Sequence, residues 1–170
     1  KTLKDMNRHY TAAEYCDLCN KLRNAFDDTS ITTDVMVGFN EESDKDFNES
    51  LNFVKKIRFE KVHVFPYSER TGTAASRKGD SVSKQEKERR ASVMAEAAEK
   101  IRDEYFNSLI GKTVNVLFEN ETAPETFRGY TKNYIPVEIK CGKNIKGLEV
   151  NCTIESVDTA NDICIANLNS

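Results

Sequence analysis

Apolar residues recur at helical spacing in three stretches of this chain, and shorter apolar or alternating runs lie between and after them. Tyr15, Leu18, Leu22 and Ala25 mark one face of a helix over residues 12–26. Thr11-Ala12-Ala13-Glu14 opens it as a capping box, in which the hydroxyl takes a free amide and the glutamate reaches back. A second stripe, Phe47, Leu51, Val54 and Ile57, follows Ser43, a residue suited to cap it. The third, Met94, Ala98, Ile101 and Tyr105, runs from another capping box, Ser83-Lys84-Gln85-Glu86, to about residue 109, where Gly111 is placed to end it. Residues 31–39 and 61–67 are rich in β-branched and apolar types and predict buried strands, the first stopping at Gly38. The polar stretch 68–81 predicts a loop.

Helices alternating with strands imply parallel strands joined by right-handed crossovers. Two such strands leave faces and edges uncovered, so residues 1–109 are expected to be part of a larger barrel or open sheet. Taken alone, this part is expected to pair its edges with another copy of itself or to pack loosely. Beyond Gly111 the pattern changes. Segments 113–118, 126–131, 134–139, 148–157 and 163–168 are short and separated by Gly, Asn, Lys and Asp, which suits a small antiparallel barrel over residues 110–170.

The chain has 170 residues, 38% hydrophobic and 31% charged, and a formal net charge of −3. That balance argues against a broadly basic nucleic-acid binder and leaves room for a local basic patch. No apolar run approaches the roughly 18 residues of a membrane span. Nothing in the sequence reads as an export signal, so the expected setting is cytoplasmic and away from membranes. The absence of Met at Lys1 fits an excised piece. Five cysteines, Cys16, Cys19, Cys141, Cys152 and Cys164, show no disulfide-framework spacing and fit a reducing compartment. Cys16-x-x-Cys19 lies inside a helical pattern with no second pair at ligand spacing, and is read as ordinary helix positions; no metal ligands are assigned.

Several residues are placed where chemistry is done. Arg8 precedes the first long helix, at what would be the mouth of a preceding strand; its guanidinium suits a bidentate carboxylate contact, a phosphate contact, or plain solvation. Gly38 closes Asp34-Val35-Met36-Val37 and precedes Phe39. Ordinary strand-to-helix geometry accounts for a glycine there, as does close approach of a ligand. Lys61-Val62-His63-Val64-Phe65-Pro66-Tyr67 runs into a loop carrying Ser68, Arg70 and Thr73, the way an α/β enzyme ends a strand at its active-site mouth. His63 is read as a satisfied core residue. Arg128, Tyr130, Lys132, Asn133 and Tyr134 surround one hairpin, and their basic and aromatic side chains suit phosphate contact and base stacking; the alternative is a Lys132-Asn133 turn with both tyrosines in the core. Lys84, Lys87, Arg89 and Arg90 are read as a solvated helix face.

Three segments together carry a resemblance: Met6-Asn7-Arg8-His9-Tyr10-Thr11, Ile31-Thr32-Thr33-Asp34-Val35-Met36-Val37-Gly38-Phe39, and the run from Lys61 to Ala75. They resemble the radical-SAM methylthiotransferases that modify tRNA, and His63-Val64-Phe65-Pro66-Tyr67-Ser68 looks most like the branch acting on threonylcarbamoyladenosine. The resemblance implies an α/β, TIM-like partial radical-SAM barrel, of which this chain is the last part, followed by a small all-β, OB-like TRAM barrel. It also implies S-adenosyl-L-methionine and two [4Fe-4S] clusters in the full enzyme, tRNA as partner, and the N-terminal part of the same polypeptide as the other half of the barrel. Cofactor contacts then fall to Arg8, Asp34, Val35, Val37, Gly38, Phe39, Phe65 and Tyr67. Substrate and tRNA contacts fall to Ser68, Arg70, Thr73, Arg128, Tyr130, Lys132, Asn133 and Tyr134. Two departures stand out: Asn40-Glu41 occupies the place of the family's Pro-Gly, and no Cys-x3-Cys-x2-Cys is present, so the chain is expected to bind no cluster and to be inactive alone. Sister enzymes acting on isopentenyladenosine in tRNA or on a ribosomal-protein aspartate, and a non-catalytic RNA-binding protein, are the alternatives.

Overall fold

A computed structural model describes residues 1–169, the side chain of Lys78 aside. The chain divides into two compact units, residues 1–102 and 103–170.

The first unit opens with a short helix α1 (Thr2–Asp5), followed by α2 (Ala12–Ala25), β1 (Thr32–Val37), α3 (Asp44–Ile57), β2 (Lys61–Pro66) and α4 (Lys84–Asn107), whose residues up to Arg102 belong here. Both helix starts foreseen at Thr11 and Ser43 are complete capping boxes, closed by Glu14 and Asp46. β1 and β2 are parallel, in the register Thr32↔Lys61 through Val37↔Pro66. Alternation then assigns the two faces. Val35, Val37, Val62 and Val64 join a core made by Phe47, Leu51, Val54 and Ile57 of α3, Cys19 of α2, and Met94 and Ile101 of α4. On the other face Thr32, Asp34, Lys61, His63 and Phe65 are exposed. The helices therefore cover one side of a two-stranded sheet within this unit.

The second unit is a closed barrel in the order β3-β4-β5-β7-β6, formed by β3 (Thr113–Ala123), β4 (Thr126–Thr131), β5 (Pro136–Lys140), β6 (Glu149–Asp158) and β7 (Ile163–Leu168). All pairings are antiparallel except β5 with β7. Val116, Phe118, Phe127, Val137, Ile139, Ile154 and Ala166 fill the interior, with Phe106 and Leu109 packed against them. Gly129 stands opposite Phe118, and a β-carbon built on it would lie 2.6 Å from the Phe118 Cα, so the two strands cross too closely for any side chain there. β3 runs five residues past the expected end at 118, through two bulges, to pair with the start of β4.

Candidate functional site

In the first unit the C-terminal ends of both strands are held by one helix. Past β1, Gly38 takes a left-handed conformation (φ +70°), and its N–H donates to Glu42 Oε2 at 2.7 Å. Arg90 of α4 donates from Nη1 to that same carboxylate oxygen and to the Glu42 carbonyl, both at 2.8 Å. Its other nitrogens reach Asp44 Oδ1 at 2.9 Å and Glu86 Oε1 at 2.7 Å. The guanidinium lies 5.5 Å from the centre of the Phe47 ring. Arg90 and Glu42 are only 4% and 5% exposed, and their mutual pairing is what makes such burial tolerable.

Past β2, the Tyr67 N–H donates to the Val37 carbonyl at 2.8 Å. The Tyr67 carbonyl accepts from Lys87 Nζ at 3.1 Å, and Lys87 also pairs with Asp80. The Lys87 ammonium lies 5.1 Å from the Tyr67 ring centre, and Phe39 meets that ring edge-on at 5.0 Å. Cross-links join the two loops: Asn40 Nδ2 donates to the Ala75 carbonyl at 2.5 Å, and the Glu41 N–H donates to Ser81 Oγ at 2.9 Å. Two buried polar atoms here, Asn40 Oδ1 and the Tyr67 hydroxyl, have no hydrogen-bond partner among the described residues. Burial, aided by the carboxylates of Glu69 and Asp80, holds the Tyr67 phenol above its usual range, so it stays a donor. An open pocket of about 350 Å³ lies beside it, lined by Tyr67, Ser68, Glu69, Asp80, Lys87 and Glu88 among others.

The predicted cofactor residues divide among these surroundings. Gly38, Phe39 and Tyr67 come together at the strand ends; Asp34 and Phe65 lie on the open face beside His63 and Met36. Val35 and Val37 turn their side chains into the helix-side core, which leaves only their backbone for a ligand. Arg8 is exposed between α1 and α2. Ser68, Arg70 and Thr73 are exposed on the loop after β2, where Thr73 Oγ1 accepts from the Ser76 N–H at 3.1 Å.

Two expectations are corrected. Lys87 and Arg90 are buried rather than solvated, because they continue backward the stripe of Met94, Ala98 and Ile101. Their charge disguised a periodicity that was there to be read. His63 is exposed and not a core residue, because the face it occupies is the one no helix covers.

In the second unit the loop between β4 and β5 is built around Thr131. Its carbonyl accepts from the Tyr134 N–H at 2.9 Å, its Oγ1 accepts from the Ile135 N–H at 3.0 Å, and Oγ1 also donates to Asn133 Oδ1 at 2.5 Å. Asn133 Nδ2 donates to the Tyr105 hydroxyl at 3.3 Å. Tyr134 is thereby held at φ +63°, a conformation bulky residues avoid, with its ring 82% exposed. The Tyr130 ring lies 6.5 Å away, also exposed, so neither tyrosine is core. Lys132 is exposed beside them, whereas Arg128 donates to Glu138 Oε2 at 3.0 Å.

The cysteines do not assemble as ligands. Cys19 is buried in the first core, Cys152 and Cys164 in the second, and burial pushes the Cys152 thiol up to about 11. Among the described residues no three of His, Cys, Asp or Glu come together as a metal site.

No family model matches the chain. It is 37% identical over 149 residues to the threonylcarbamoyladenosine tRNA methylthiotransferase of Bacillus subtilis, covering 85% of this chain and 33% of that protein. It is 35% identical over 161 residues to the tRNA-2-methylthio-N(6)-dimethylallyladenosine synthase of Acetivibrio thermocellus, covering 94% and 34%. The protein of the latter name from Endomicrobium trichonymphae is 40% identical over 155 residues, covering 91% and 37%. The chain thus spans about a third of the length of the curated relatives it matches. It belongs to the methylthiotransferase family. Relatives of both names lie at similar identity, so likeness alone does not separate their two substrates.

Proposed function

We propose that this chain is the C-terminal portion of a tRNA methylthiotransferase, joining the last strands of a radical-SAM barrel to a TRAM domain. The observation that carries the reading is the β1–β2 pair: parallel, sealed by helices on one face, open on the other, and locked at its C-terminal ends. In open α/β sheets ligands bind outside those strand ends. An adenosine moiety would lie there, near Phe39 and Tyr67, with two buried polar atoms that lack partners among the described residues on the lips. Gly38, Phe39, Tyr67 and the backbone near Phe65 would hold S-adenosylmethionine; Arg8 is the candidate for its carboxylate. Bound there, the cofactor would supply radical and methyl-transfer chemistry. The five cysteines do not fit cluster ligands, and any cluster falls to polypeptide outside this chain. Ser68, Arg70 and Thr73 would face the substrate nucleotide, and Tyr130, Lys132, Asn133 and Tyr134 would hold tRNA, with Arg128 as a weaker contact.

For the substrate we take N6-threonylcarbamoyladenosine at position 37, on the strength of His63-Val64-Phe65-Pro66-Tyr67-Ser68; the dimethylallyladenosine synthases among the relatives favour isopentenyladenosine as the second reading. Deleting the gene and analysing tRNA nucleosides by mass spectrometry decides between them. Loss of the 2-methylthio derivative of threonylcarbamoyladenosine is expected. Loss of the isopentenyl derivative alone would select the second reading, and unchanged nucleosides would leave the ribosomal-protein aspartate enzyme or a non-catalytic RNA-binding protein.

A further inference from the structure

We infer that Lys87 and Arg90 are positioning residues: less than one helical turn of α4 fixes the distance between the two lips of the strand-end site. This rests on the cofactor reading above, which says what the lips are for.

The two residues reach different strands. Arg90 acts on the β1 end through a relay: Nη1 grips Glu42 Oε2, and that oxygen accepts the Gly38 N–H. Lys87 acts on the β2 end directly, through the Tyr67 carbonyl. Its aliphatic stem also fills the space beside Gly38, with Cδ and Cβ at 3.2 and 3.3 Å from where a β-carbon would stand. Both charged heads are buried, Lys87 to 6% and Arg90 to 4% exposure, an arrangement costly to desolvate unless each head is fully engaged. Asp80 and Glu86 complete that engagement. A helix held by core contacts through Met94 and Ile101 is rigid, so the lips inherit its rigidity rather than that of the loops.

The test reads two amides and one split. Lys87→Met keeps the stem against Gly38 and removes the ammonium; Arg90→Lys keeps the charge and loses the fork. In Lys87→Met, hydrogen exchange should quicken at the Tyr67 N–H and spare Gly38; in Arg90→Lys the reverse should hold. The amides of residues 33–36 and 137–139 should keep their protection in both. In the full-length enzyme each variant should raise the KM for S-adenosylmethionine about tenfold or more, with kcat changed much less. Loss of protection throughout the first unit, or an unchanged KM, would overturn the proposal. If S-adenosylmethionine added to the parent enzyme changes exchange nowhere in residues 38–42 or 66–69, the cofactor reading fails instead, and the role given to the clamp falls with it even though the selective exchange effects persist.

Discussion

The stem of Lys87 occupies the volume that a side chain on Gly38 would need. Two requirements meet at this glycine, since its φ of +70° alone costs an L-residue roughly 1–2 kcal/mol. Gly72, at φ +88°, carries only the conformational cost, because among the described residues nothing lies within 4 Å of an added β-carbon. Gly38→Ala should therefore destabilise the first unit by about 1 kcal/mol or more beyond Gly72→Ala, by analogy with other overpacked sites. Urea unfolding of the two variants followed by NMR at first-unit resonances checks the order; equal losses would show that the Lys87 stem moves aside freely.

Acid should loosen the first unit through the same helix. Hydrogen bonds from Arg89 and then Arg90 hold the Glu86 carboxyl down to about 2, from an ordinary 4.5. A carboxyl depressed on folding stabilises fully above its unfolded value, and that contribution is lost as pH falls from about 4.5 toward 2. Glu14 and Asp46, lowered by the hydrogen bonds of their capping boxes, act in the same direction. Glu86→Gln should give a shallower decline of stability across that window than the parent. A parallel decline in the two proteins would count against the role of this carboxyl; the partial exposure of Glu86 keeps the effect modest.

At the β4–β5 loop, stacking and charge can be separated. Tyr134→Ala should weaken tRNA binding by about 1–3 kcal/mol if one base stacks there. It should not destabilise the barrel, because the ring is 82% exposed and the backbone strained. Lys132→Ala should reduce the salt slope by about 1. Arg128→Ala should change it less, since Glu138 already holds that guanidinium. Fluorescence anisotropy with labelled tRNA at several salt concentrations measures all three. Undiminished binding by Tyr134→Ala would remove this loop from the contact surface.

Gly129→Ala is expected to be the most damaging single-methyl change in the barrel. Its β-carbon meets backbone, at Phe118 Cα and the Leu117 carbonyl, and two paired strands cannot part there without breaking their ladder. Loss of the dispersed methyl resonances of Val137 and Ile139 would register the failure; a variant with the parent's spectrum and melting point would refute it.

Much of this was legible in the sequence where one residue type answers one local need. Thr11 with Glu14 announced a capped helix, and the strands at 126–131 and 163–168 had the expected bounds. Reading failed where chemistry and position disagree. Lys87 and Arg90 have the composition of a surface and the phase of a core, and only the tertiary partners Glu42, Asp80 and the Tyr67 carbonyl resolve the conflict. Residues 119–123 looked too polar for a strand because they are exposed on both faces, their order coming from pairing with β4 and not from burial. The start of β5 was displaced from 134 to 136 by the left-handed Tyr134, a conformation that an apolar pattern does not report.

The parallel pairing of β5 with β7 has a consequence in time. β3, β4 and β5 can zip together as hairpins soon after each is made, yet the cylinder closes only when β7 slides between β5 and β6. Until then Val137 and Ile139 face water along one open seam, and the seam is a sheet edge. The β5–β7 pairs and the still more distant β3–β6 pairs both form after the hairpins, which makes closure slow. The barrel is thus switched on by Ile163–Leu168, so a chain truncated before those six residues would carry an adhesive edge rather than a smaller domain.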